Sequence, residues 1–70
     1  MSRAMNLQLP EENVRERCKK SGVSISAIEV LPSGGTRLVC TTGEGADEMR
    51  LKLKGHIIQG AVQRFRFYRA

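Results

Sequence analysis

Residues 23–42 read VSISAIEVLPSGGTRLVCTT, and this stretch decides the fold. Residues 23–31 are β-branched and alternate in polarity, which predicts a strand. The following LPSGGT, residues 31–36, carries a proline and two glycines, and glycine takes positive φ without steric cost, so the chain turns there. Residues 36–42 (TRLVCTT) predict a second strand, and the pair forms a hairpin with a loop of about four to five residues. Period two then places Ile28 and Val30 on one face of the first strand and Leu38 and Cys40 on one face of the second. Arg37, Val39 and Thr41 point the other way.

Upstream of the hairpin, Pro10 suits an early helical position, because its missing N–H would be unpaired there anyway. Glu11 and Glu12 sit where the helix dipole favours negative charge, Lys19 and Lys20 sit at the opposite end, and Gly22 supplies a left-handed stop. Glu11 with Arg15, and Glu16 with Lys20, are correctly oriented i,i+4 pairs. Val14 and Cys18 make only a narrow apolar stripe, with Leu9 stapling onto Val14, so this helix lies on the outside of the fold. Residues 1–8 are expected to be a flexible N-terminal arm ahead of a single α+β domain over 9–70, although the Leu7/Leu9 alternation would also suit a short edge strand.

Downstream, residues 43–54 (GEGADEMRLKLK) satisfy two readings. The alternation of residues 49–54 suits an amphipathic strand. Residues 46–54, however, contain no β-branched side chain, acids lead and bases trail, and Gly55 stands where a C-cap belongs, so a helix is expected. Ala46, Met49, Leu53 and Ile57 give its apolar stripe, with Leu51 out of phase. After GHIIQG, residues 61–69 (AVQRFRFYR) predict a last strand, with Phe65 and Phe67 on one face and Val62, Arg64, Arg66 and Tyr68 on the other. The expected order is α-β-β-α-β. This is an α+β fold whose three-stranded sheet carries two helices packed on one face, that of Phe65 and Phe67, with the last strand antiparallel beside the strand of residues 23–31.

Seventy residues, 40% apolar with three aromatics, leave room for one small core. A core of that size rarely supplies more than roughly 3–5 kcal/mol, which makes self-association as a homodimer a reasonable expectation. The N-terminus lacks an apolar run long enough for a signal peptide, and no stretch has transmembrane length, so a cytoplasmic location without membrane contact is expected. Cys18 and Cys40 form no C-x-x-C pair and read as ordinary thiols of a reducing compartment.

The net charge of +5 is unevenly distributed. All seven acids precede Met49, whereas residues 49–70 hold six bases and no acid. Clustered cations concentrate phosphates, so a polyanion is the first partner to consider. If the helices cover one side of the sheet, Arg37, Arg64, Arg66 and Tyr68 stand together on the other. There the arginines offer forked donors to phosphate and the tyrosine ring a stacking platform for an unpaired base. Arg50, Lys52 and Lys54 are expected to widen this track. The sequence thus reads as a basic nucleic-acid-binding module, with RNA or single strands favoured over duplex DNA. The alternative is a protein–protein interaction module, whether a homodimer, an adaptor or the regulatory partner of a larger complex, since arginine and tyrosine are also common in interface hot spots. No nucleophile, base and oxyanion donor come together, so no enzyme, small-molecule substrate or cofactor is expected. The residues 41–47 (TTGEGAD) lack the lysine and spacing of a phosphate loop and read as the start of a helix, and the acids are too sparse for a metal cage.

Overall fold

The computed structural model describes residues 2–60. Its elements run β1 (Ala4–Leu7), α1 (Glu11–Ser21), β2 (Ile25–Val30), β3 (Thr36–Cys40) and α2 (Gly43–Lys52), followed by a 3-10 turn at Lys54–His56. The strands form one antiparallel sheet in the order β1-β3-β2. Since both outer strands oppose β3, β1 and β2 run parallel to each other with β3 between them. Both helices lie on one face, where Met5, Leu7, Ile28, Leu38 and Cys40 meet Val14 and Cys18 of α1 and Ala46 and Met49 of α2 in a single core. The fold is therefore a small α+β domain of order β-α-β-β-α over the described residues. The expected last strand, residues 61–69 with Phe65 and Phe67, lies outside them.

The hairpin forms where its sequence places it. Leu31 donates its N–H to Gly35 O at 3.0 Å, and the register from Val30↔Thr36 to Ile28↔Leu38 continues that pairing. Gly35 has φ +88°, and a Cβ there would lie 2.4 Å from the carbonyl oxygen of Leu7, so the position admits glycine for reasons of backbone angle and of space together. A β-bulge interrupts the pairing between Ile25 and Ala27.

Helix α1 closes in a Schellman motif: Gly22, at φ +69°, donates to Lys19 O at 3.2 Å, and Val23 donates to Cys18 O at 2.9 Å. Pro10 stands just outside the helix as its extended N-cap. The ambiguous stretch is helical, as expected, but it begins earlier. Thr42 caps it by accepting from the Gly45 N–H at 3.0 Å, and it ends at Lys52 rather than at Gly55, with Leu53 as C-cap. Ala46, Met49 and Leu53 are buried and Leu51 is 77% exposed, matching the helical stripe.

The principal correction concerns the N-terminus. Within the expected arm, Ala4–Leu7 is a strand, and Met5 and Leu7 are core residues. Its pairing partner is distant in sequence: Met5 registers with Leu38 and Leu7 with Thr36. Tertiary hydrogen bonds supply what local propensity lacks. Thr36, fully buried, donates its hydroxyl to Leu9 O at 2.7 Å and anchors the exit from this strand. Beyond the 3-10 turn the chain returns along the outer flank of β1, with Gln8 N–H to His56 O at 2.7 Å and Ile58 N–H to Asn6 O at 2.9 Å.

Candidate functional site

Of the residues expected to form a cationic sheet face, Arg64, Arg66 and Tyr68 lie outside the described residues. Arg37 is on the expected face, opposite the helices, but its environment is not uniformly basic. Its Nε lies 3.5 Å from Oε1 of Glu29, its register partner on β2, and Glu29 is only 6% exposed. Asn6 completes this row across the sheet as the partner of Arg37 on β1, with its Oδ1 buried and without a hydrogen-bond partner. Around Arg37 the face is therefore a polar row containing a buried carboxylate.

Arg50, Lys52 and Lys54 do not form one continuous strip. Arg50 faces β1: its guanidinium binds Asp47 at 3.1 Å and donates to the carbonyl oxygens of Ser2 and Ala4. These contacts fasten the first strand to α2, so Arg50 is a structural residue. Lys52 pairs with Glu48 at 2.8 Å and donates to Ser21 Oγ at 3.0 Å, bridging the C-terminal ends of the two helices. Lys54 is exposed in the 3-10 turn.

The bridge made by Lys52 marks a different site. Arg17, Lys20 and Ser21 of α1, with Met49 and Lys52 of α2 and the adjoining Leu53, line an open groove of about 190 Å³. Three cations surround an apolar floor and no acid lines it. Each helix presents its C-terminal end here, where cations are locally favoured by the helix dipoles. Arg17 has no ion-pair partner among the described residues. The pairs Lys20–Glu16, at 3.7 Å, and Lys52–Glu48 are solvent-exposed and hold their lysines only weakly.

Arg17 and Lys20 were not among the expected binding residues, because α1 reads as a self-paired outer helix. One signal was legible: Arg17 has no acid three or four positions away, its neighbours there being Asn13, Val14, Lys20 and Ser21.

The two cysteines are free thiols of the core. Burial pushes the Cys18 thiol above the ordinary value, and the nearby Cys40 adds to the shift. Burial likewise raises Cys40, partly offset by Arg50. Such thiols are poor nucleophiles. Among the described residues no cluster of His, Cys, Asp or Glu could hold a metal, and no helix is long and apolar enough to cross a membrane. No protein-family model matches the chain, and no curated protein or solved structure is significantly similar to it.

Proposed function

We propose that this protein is a small, non-enzymatic module that binds nucleic acid, single-stranded or RNA in preference to duplex DNA. The observation that carries this reading is the convergence of Arg17, Lys20 and Lys52 on one acid-free groove at the ends of both helices. The groove is too shallow and open to enclose a small ligand, but its cations suit successive phosphates of a flexible strand. Lys54, exposed just beyond, extends the track. Arg64, Arg66 and Arg69 add three charges without an acid, and Tyr68 adds a stacking ring. Arg37 is a lesser contributor, given its pairing with Glu29.

Fluorescence anisotropy of labelled single-stranded RNA, single-stranded DNA and duplex DNA across a salt series tests this reading. For single strands each phosphate contact contributes about −0.7 to the slope of log K against log salt, so an Arg17→Glu/Lys20→Glu variant that remains folded should lose at least about 1.4 of that slope. An Arg64→Glu/Arg66→Glu variant measured beside it apportions binding between the groove and the C-terminal arginines. Absence of binding at low salt overturns the proposal.

A further inference from the structure

Ser21 is the one uncharged polar side chain among the residues lining the groove between the helix ends. It is the last residue of α1, directly before the left-handed Gly22, and Lys52 reaches it from α2. Lys52 donates to Ser21 Oγ at 3.0 Å, and an ammonium group can only donate, so the serine oxygen accepts there. Glu48, 2.8 Å from the same Nζ, holds the lysine from its other side. This contact uses one of the two lone pairs of Oγ. The second lone pair and the hydroxyl proton make no further hydrogen bond among the described residues. Ser21 therefore presents to the groove one donor and one acceptor, both unspent.

We infer that Ser21 is a specificity-determining residue of this groove, which reads the ribose 2′-hydroxyl and so favours RNA over single-stranded DNA; the inference rests on the nucleic-acid reading above. Arg17, Lys20 and Lys52 are donors only, and they serve phosphate oxygens, which both kinds of strand carry alike. Such contacts hold a strand without telling ribose from deoxyribose. A phosphate oxygen accepts but does not donate, so it would use the serine proton and leave the second lone pair without a partner. The 2′-hydroxyl both donates and accepts, and it stands on the carbon next to the one bearing the 3′ phosphate. A strand held by its phosphates on the three cations thus brings 2′-hydroxyls to the wall where Ser21 stands. Lys52 contributes twice, as a charge for phosphate and as the group that fixes the serine oxygen before a strand arrives, which reduces the ordering needed on binding.

Fluorescence anisotropy with oligouridine and oligodeoxyuridine of about ten nucleotides, which differ only at the 2′ position, tests the inference. The unaltered chain should bind the ribo strand about three- to tenfold more tightly, the range of one or two neutral hydrogen bonds. Ser21→Ala should bring the two affinities to within about twofold of each other by weakening the ribo strand and not the deoxy strand, with the salt slope of both preserved because serine carries no charge. Ser21→Thr keeps the hydroxyl and should restore the preference. A 2′-fluoro strand, which keeps a ribose-like sugar pucker but has no proton to donate, should bind as the deoxy strand does.

Equal affinity of the unaltered chain for the ribo and deoxy strands overturns the inference and leaves the nucleic-acid reading standing. Equal weakening of both strands by Ser21→Ala also overturns it, since the serine then does no more than position Lys52. Binding of the 2′-fluoro strand at the ribo level assigns the preference to sugar pucker and overturns it as well. Binding of neither strand at low salt removes the nucleic-acid reading itself, and this inference with it.

Discussion

The two edges of the sheet are treated differently. The β1 edge is closed by the chain itself: residues 56–58 hydrogen-bond along it, Arg50 clasps the strand's first carbonyls, and Thr36 secures its exit. The β2 edge has no strand beside it among the described residues, and a bulge interrupts its pairing with β3. The closed edge belongs to the strand with the weaker sequence, four residues without a β-branched side chain. The other edge belongs to the stronger strand, held already by its hairpin partner. A strand with poor local propensity needs partners on both sides to persist, whereas a hairpin strand is held by the pairing its own turn supplies.

Perturbations of the closed edge should be the most damaging. Leu7→Ala removes a fully buried side chain from β1 and should cost about 4 kcal/mol in urea unfolding, enough to leave much of the population unfolded. Gly35→Ala forces a Cβ against the Leu7 carbonyl at a left-handed position and should cost about 3 kcal/mol by the same measurement. Arg50→Ala, which frees the start of β1, should cost about 2 kcal/mol, and hydrogen exchange should report faster amide exchange in residues 4–7 than in β2. If β1 and β2 amides accelerate equally, the edges are not independent. Thr42→Ala removes the cap of α2, which packs on β1 and β3, and should cost about 1 kcal/mol.

The smallest effect belongs to pH. The raised thiols of Cys18 and Cys40 stay protonated in the folded state when the unfolded thiols, near 9.0, begin to ionise. Their contribution to stability is therefore complete below pH 9 and is lost as pH rises toward the folded values. The thermal midpoint should fall above pH 9, and alkylation at pH 8 should be slow until the protein unfolds. A thiol modified rapidly in the folded state contradicts the burial that underlies this expectation.

Local chemistry accounts for much of the fold. The hairpin follows from alternation plus Gly34 and Gly35, α1 from its charge order and Gly22, and α2 from Ala46, Met49 and Leu53 at helical spacing. Each is governed by interactions within a few residues, which sequence displays directly. Its boundaries were less legible: α2 starts at Gly43 because Thr42 can cap it, overriding the low propensity of two glycines. The candidate site was legible only in part. Arg37 faces the expected side and Lys52 belongs to a cationic cluster, but that cluster is completed by Arg17 and Lys20, residues more than thirty positions away from Lys52 in sequence.

What residues 2–60 could announce without a partner were the elements whose hydrogen bonds and apolar stripes are local: two helices and a hairpin, one helix bearing a cation with no acid in reach. Long-range pairing alone made Ala4–Leu7 a strand, turned Arg50 from a surface cation into a clasp and brought the two helix ends together as a groove. Those outcomes depend on which backbone groups and side chains meet after folding, and a four-residue segment or a single arginine carries no periodicity from which such a meeting can be read.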